Sequence, residues 1–326
     1  MTREITFRDA ISEALAEEFD RHPEMILMGE DILAQGGVFG VYKPLLETHR
    51  DRLLETPIAE PGFMGMAVGA AMTGGPVVVE IMFQDFITVC MDEIVNQAAK
   101  MRYMTGGQAR MPLVIRAASG MGRGTAAQHT QSLEAWFVHV PGLKVVVPST
   151  PADAKGLLKS ALRGEDPVLF FEHKQLYALK GEVPAGEHVV PLGQARVLRP
   201  GPDLTIVAWA AMAHRALEAA DALAADGISA EVIDPRTLSP LHDAAILASV
   251  RRTGRALVVD EATLRCSVGS EIAATIGEHA FDALKGPVRR LASPHAPKPF
   301  APVIEALSIP RSADIVAIAR DMLTRG

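Results

Sequence analysis

Short apolar runs rich in valine, isoleucine and leucine recur along the whole chain, and each gives way to a stretch whose apolar residues fall at helical spacing. A strand covered by helices on both faces reads as such a continuous run, and joining parallel strands requires the crossover helix that follows. The first series comprises Met25 to Gly29, Leu53 to Ile58, Pro76 to Met82, Pro112 to Arg116, Lys144 to Val147 and Pro167 to Glu172. A second begins at Asp203, with runs Leu204 to Trp209, Ala230 to Ile233, Ala256 to Val259 and Val288 to Leu291, and helices near 211–225, 242–253 and 268–281. This alternation predicts an α/β protein of two doubly wound units with right-handed crossovers. The weakly patterned stretch between them, with Pro184, Pro191 and Pro200, sets the expected boundaries at 1–185, a linker over 186–202, and 203–326.

Composition narrows the function classes. A net charge of -7, with basic residues scattered rather than massed, argues against a nucleic-acid partner. No apolar run is long enough to span a bilayer and none resembles a signal core, so a cytoplasmic protein is expected. Cys90 and Cys266 are the only cysteines, which fits a reducing compartment and rules out a disulfide framework.

The stretch Thr56-Pro-Ile-Ala-Glu-Pro-Gly-Phe-Met-Gly-Met-Ala-Val-Gly-Ala-Ala-Met72 sets a carboxylate, Glu60, at the start of a helix built from small residues. Such a helix gives up propensity and side-chain burial, and gains close approach by another helix or a bound ring. An acid there is favoured by the helix dipole, so the position alone does not establish catalysis. A second stretch, Ala126 to Trp136, also places polar groups, His129 among them, between a strand and a helix. The loop Ser119-Gly-Met-Gly-Arg-Gly-Thr125 lacks the third glycine of a dinucleotide fingerprint, and no acid follows the next strand. Glu30-Asp31 reads as a solvated turn rather than a metal site, since no third ligand stands at a recognisable spacing. Thr6 and Asp9 predict a capped first helix with Ile11, Ala14, Leu15 and Phe19 on one face; Asp85 to Tyr103 predicts a long amphipathic helix. Ser293 to Phe300, with three prolines, predicts an extended segment before closing helices near 302–307 and 312–324. The usual hydrolase and phosphate-loop motifs are absent.

Thr56-Pro-Ile-Ala-Glu60, Asp92-Glu-Ile-Val-Asn-Gln-Ala-Ala-Lys100, Tyr103-Met-Thr-Gly-Gly107, Gln128-His-Thr-Gln-Ser132, Pro141-Gly-Leu-Lys-Val-Val-Val-Pro-Ser149, Asp153-Ala-Lys-Gly-Leu-Leu158 and Glu172-His-Lys174 together resemble the beta subunit of the thiamine-diphosphate-dependent decarboxylating component of 2-oxo acid dehydrogenase complexes. Val259-Asp-Glu-Ala262, Arg265-Cys-Ser267 and Ala292-Ser-Pro-His-Ala-Pro-Lys-Pro-Phe300 resemble the acetoin branch more than the pyruvate or branched-chain branches. The resemblance implies a transketolase-like pyrimidine-binding domain followed by a transketolase C-terminal-like domain. It also implies cleavage of acetoin, or decarboxylation of a 2-oxo acid, with acyl transfer to the lipoyl group of a dihydrolipoamide acyltransferase. By the same resemblance Glu60 would hydrogen-bond the aminopyrimidine ring of thiamine diphosphate, Phe86 and Ile58 would line it, and His129 would position the substrate. Magnesium would belong to an alpha subunit in a two-alpha, two-beta assembly, because this chain has no Gly-Asp-Gly motif. Leu113, Ala161, Leu162, Gly164 and Asp166 would correspond to a structural potassium site, with Gly164 standing where the family pattern carries an acid. The alternative from a different class, a noncatalytic nucleotide-binding or electron-transfer subunit, would need a phosphate-cradling loop that the sequence does not offer.

Overall fold

The computed structural model describes residues 2–324. The chain forms two compact units, one from residues up to Ser119 with Trp136–Leu192, the other from Gly120–Ala135 with Gly193 onward. The change at Leu192 falls inside the stretch 186–202 expected as a linker. That stretch is structured: Val190 is buried in the first core and its N–H donates to the Gly156 carbonyl at 3.1 Å, while Arg196–Arg199 forms a strand. The domain division 1–185 also did not foresee that 120–135 leaves the first unit.

The first unit runs β1 (Thr2–Thr6), α1 (Phe7–Arg21), β2 (Ile26–Gly29), α2 (Ile32–Gln35), α3 (Leu45–Thr48), β3 (Leu53–Glu55), α4 (Glu60–Thr73), β4 (Val77–Phe83), α5 (Ala99–Met104), β5 (Leu113–Ser119), α6 (Glu134–Val138), β6 (Lys144–Val146), α7 (Pro151–Leu162), β7 (Val168–His173) and β8 (Lys180–Pro184). Thr6 caps α1 by accepting the Asp9 N–H at 3.1 Å, and Ile11, Ala14, Leu15 and Phe19 are all fully buried. Each large apolar side chain so buried contributes about 1.5–3 kcal/mol, enough to dock the helix. Its other flank carries Glu13 and Glu17, which meet the buried Lys155 and Lys159 of α7 at 2.6–2.8 Å.

Strands β6, β7, β5, β4, β2 and β3, in that spatial order, form one parallel sheet. The chain leaves β2 toward one edge, to β3, and leaves β4 toward the other, to β5, so a crevice opens at the carboxyl ends of β2 and β4. β3 is shorter than the expected Leu53–Ile58 run because it is the edge strand, where Leu54 and Glu55 stay exposed. The expected helix Asp85–Tyr103 is instead three windings: 3-10 over Gln84–Cys90, π over Glu93–Ala98, then α5. The β-branched run Ile87-Thr-Val89 and the bonds of Thr88 Oγ1 to Asp85 O and Cys90 Sγ to Ile87 O draw the first part away from α geometry. β1 and β8, antiparallel to each other, were not anticipated.

The second unit runs β9 (Arg196–Arg199), β10 (Leu204–Ala208), α8 (Ala211–Ala224), β11 (Ala230–Asp234), β12 (Thr237–Ser239), α9 (Asp243–Thr253), β13 (Ala256–Thr263), α10 (Val268–His279), β14 (Arg289–Ser293), α11 (Pro302–Ser308) and α12 (Ser312–Thr324). β14, β13, β10 and β11 are parallel, and β9 closes the edge antiparallel to β11. Ile206, Ala208, Leu257 and Val259 pack with Ala216, Leu223, Ile315 and Ala319 in its core. No helix among the described residues is long and apolar enough to cross a membrane.

Candidate active site

Glu60 is the first residue of α4 and is 8% exposed. Phe63, Met64, Ala67, Val68 and Ala71 of this helix are buried, whereas Gly62, Gly65, Met66 and Gly69 face outward. A Cβ built on Gly69 would meet nothing within 4 Å, so this glycine is not there to pack on its own sheet. Ile58, in the turn before α4, is 81% exposed.

Glu30, directly after β2, is the second acid of the crevice. Asp31 takes a left-handed conformation (φ 54°) that breaks the strand, and it is Asp31 alone that forms the solvated turn expected for the pair. Glu30 is 6% exposed and its Oε1 is shielded with no hydrogen-bond partner. Burial first, then the charges of Glu60, Asp31 and Glu80, raise its carboxyl to about 7. Near neutral pH the crevice therefore holds an acid that gains and loses a proton readily.

Aromatic rings line the next strand end. Phe86, half-buried in the turn after β4, stands edge-on to Phe83 with centroids 6.1 Å apart; Phe83 is edge-on to Phe39 at 6.0 Å, and Phe39 stacks on Tyr177 at 4.5 Å. The Lys174 ammonium lies 5.3 Å over the Phe83 ring. Beneath them is a buried polar network. Arg116 donates to both carboxylate oxygens of Glu172 at 2.7 and 2.8 Å and to the Tyr42 hydroxyl, and Tyr177 Oη donates to Glu172 at 2.8 Å. Glu80, facing the same network, has its carboxyl raised by burial against the opposing pull of Arg116. Charged residues inside the apolar strand runs Val77–Phe83 and Leu113–Ser119 were the sequence signal for this network.

His129 belongs to the second unit, while Glu60, Ile58 and Phe86 belong to the first. It is half-buried at the end of the glycine loop, in which Gly120, Gly122 and Gly124 all have positive φ, of 84°, 95° and 62°. Two acids that sequence reasoning did not connect with this loop, Glu261 and Glu305, accept its backbone N–H groups.

Of the residues matched to a cation site, Ala161, Leu162, Gly164 and Asp166 lie at the end of α7 and in the following turn. The Met111 N–H donates to Glu165 O at 3.0 Å and so ties this turn to the residues leading into Leu113. The Asp166 side chain is engaged by Arg102 at 2.7 Å and Lys144 at 2.8 Å; against the effect of partial burial, these cations hold its carboxyl below the usual range. Any ion there would rest on backbone carbonyls. No three His, Cys, Asp or Glu side chains among the described residues are grouped to hold a metal.

The profile of the family described as Transketolase, pyrimidine binding domain, matches residues 3–180, and that of Transketolase, C-terminal domain, matches residues 193–315. The acetoin:2,6-dichlorophenolindophenol oxidoreductase subunit beta of Cupriavidus necator is 50% identical, over 100% of this chain and 99% of its own length. Its namesake from Bacillus subtilis is 46% identical over 99% of this chain and 98% of its own, and the 2-oxoisovalerate dehydrogenase subunit beta of Bacillus subtilis is 44% identical over 98% of each. Among solved structures, a chain described as split gene transketolase, inactive beta4 tetramer, aligns with a TM-score of 0.83 at 25% identity, covering 98% of this chain and 99% of its own.

Proposed function

Because the chain belongs to the beta subunits of thiamine-diphosphate-dependent dehydrogenase components that act on acetoin and 2-oxo acids, we propose that it supplies the pyrimidine half of a cofactor site completed by an alpha subunit. The observation that carries this reading is the buried Glu60 at the mouth of α4, beside a second acid with a shielded, unpartnered oxygen. The residues fit a flat, weakly basic ring. Glu60 offers a carboxylate to a ring nitrogen, Phe86 a half-buried aromatic edge, and Ile58 an exposed apolar contact.

When bound, thiamine diphosphate supplies an acidic thiazolium carbon that adds to a carbonyl and then accommodates the electron pair released by cleavage. Glu60 would hold a proton at the aminopyrimidine ring nitrogen, and the cofactor's own amino group would then be available as the base. Glu30 exchanges protons near neutral pH within the same crevice. His129 orients the substrate or the incoming lipoyl group, a role that rests on the motif Gln128-His-Thr-Gln-Ser132. Acetoin is the substrate we place first, since relatives at 50% and 46% identity carry acetoin in their names, against 44% for the branched-chain subunit.

Magnesium and the diphosphate fall to the alpha subunit in a two-alpha, two-beta assembly, and the outward glycines of α4 suit close packing by a partner helix. Potassium at the α7 turn, a lipoyl-bearing acyltransferase as acceptor and a cytoplasmic setting complete the proposal; Cys90 and Cys266 are both free thiols. The test is calorimetric titration of the chain with thiamine diphosphate and magnesium, alone and with its alpha subunit. Weak binding alone and tight binding with turnover in the mixture are expected. Tight, magnesium-dependent binding by the isolated chain would overturn the divided site.

A further inference from the structure

The carboxylate of Glu305 accepts two backbone N–H groups from the glycine loop, Gly122 N at Oε1 and Gly124 N at Oε2, both at 2.9 Å. Glu305 is the sole buried residue of α11, at 2% exposure, while its neighbours Val303, Ile304 and Leu307 are 79%, 55% and 71% exposed. A helix normally buries its apolar side. This one buries its acid and exposes its aliphatics, so what it contributes to the unit is the carboxylate. Burying an ion is costly unless donors meet it, and two converging amides do so. Gly120, Gly122 and Gly124 all have positive φ, and in this winding the alternate amides of Gly122 and Gly124 converge on one carboxylate, so the anion they hold is the protein's own side chain.

The loop above that carboxylate is braced along its length. Gly120 N donates to Gln131 O at 3.4 Å and closes the ends, Met121 N donates to Glu261, Thr125 Oγ1 donates to His129 O at 3.2 Å, and Thr130 Oγ1 donates to Ala126 O at 2.5 Å. A Cβ on Gly124 would sit 3.3 Å from Phe300 O and 3.4 Å from Pro302 Cγ, so the loop lies directly against the start of α11. Position at Gly122 and Gly124 thus passes through Thr125 to the backbone of His129.

We propose that Glu305 is a positioning residue that fixes the glycine loop and, through it, sets His129 for its substrate. The inference rests on the reading of His129 given above. Glutamine at 305 keeps the volume but presents an NH2 group to one of the two amides; aspartate keeps the charge but is one methylene short.

The assembled enzyme carrying Glu305→Gln is compared with the parent in three measurements. Native-state hydrogen exchange at Gly122 and Gly124, and trypsin cleavage after the exposed Arg123 between them, should accelerate roughly tenfold or more, the usual worth of a hydrogen bond to a charged acceptor. Turnover per KM should fall while thiamine diphosphate affinity holds, with partial recovery in Glu305→Asp. Combined with His129→Ala, Glu305→Gln should add little further loss, because both act at one point. Unchanged exchange and cleavage overturn the proposal whatever the activity. Accelerated exchange with losses that multiply in the double variant also overturns it, since the loop would then be held for another purpose. A silent His129→Ala sinks the reading of His129, and the positioning role with it. Should Glu305→Gln fail to assemble, Gly124→Ala strains the same contact at φ 62° with Glu305 intact and should show the same pattern.

Discussion

Replacing Glu60 by glutamine keeps the shape of the side chain and removes its charge, with two separable effects. The first is on catalysis: a buried group that stabilises a charge distribution in the reacting state is typically worth about 100- to 1000-fold in rate, or about 2.7–4 kcal/mol. At 8% exposure Glu60 has little water to substitute for it, so the loss should reach that range. The second effect is on Glu30. Its carboxyl stands at about 7, raised by burial and then by Glu60, Asp31 and Glu80. Neutralising Glu60 removes one repulsion and leaves burial in place, so the Glu30 value should drop while staying above the ordinary ~4.3.

That drop has a thermodynamic signature. A carboxyl raised in the fold keeps a proton that the unfolded chain releases. Its stabilising contribution is fully present below the unfolded value of ~4.3 and is lost as pH rises toward about 7. At ~1.4 kcal/mol per pH unit, and counting only the part of the titration between the two pH values compared, the change amounts to roughly 1–2 kcal/mol. Urea unfolding of the isolated chain at about pH 5 and about pH 7.5 measures the fall, and it should be smaller in Glu60→Gln. A carboxyl infrared band that titrates in the parent and is missing in Glu30→Gln assigns the titration to Glu30. An equal fall in parent and variant would refute the coupling of the two acids, and activity within a few-fold of the parent would refute the catalytic role.

His129→Ala should abolish overall activity of the assembled enzyme and leave cofactor binding intact; a parallel loss of thiamine diphosphate affinity in calorimetry would place the residue with the cofactor instead. Arg116→Met should destabilise the chain by about 3–5 kcal/mol in urea, because it strands the buried Glu172 without its bidentate partner; a cost near zero would mean the network is not charged. Gly69→Leu, where a side chain meets nothing in this chain, should leave its stability equal or slightly higher yet weaken assembly with the alpha subunit; undiminished complex by analytical ultracentrifugation would free α4 of that role. In an artificial-acceptor assay with the alpha subunit, acetoin should be preferred to pyruvate and to branched-chain 2-oxo acids, and a clear preference for pyruvate would reverse the assignment.

The buried strands were legible because parallel strands concentrate Val, Ile and Leu, and the runs around Val77–Phe83 and Leu204–Ala208 fall within a few residues of their observed limits. β1, β8 and β9 were not, since Thr2–Thr6 and Arg196–Arg199 are polar edge segments whose pairing depends on residues far along the chain. Glu60 could be singled out by its place before a run of small residues. Glu30 could not, because whether an acid after a strand is solvated or buried depends on the left-handed turn at Asp31. The windings of 84–104 escaped periodicity because the apolar spacing of Ile87, Ile94 and Ala98 suits an α-helix nearly as well.

The path of the chain bears on how this protein is made. The glycine loop is translated between β5 and β6, yet its acceptors Glu261 and Glu305 follow Met121 and Gly122 by 140 and 183 residues. As the polypeptide leaves the ribosome, the parallel sheet of the first unit can close while the loop's amides still lack their acids. A fragment ending at Leu192 would stop at that stage, and one beginning at Gly193 would carry a carboxylate shaped for amides it does not possess. A cut between Leu192 and Gly193 would therefore part the amides of the segment bearing His129 from the two acids that accept them.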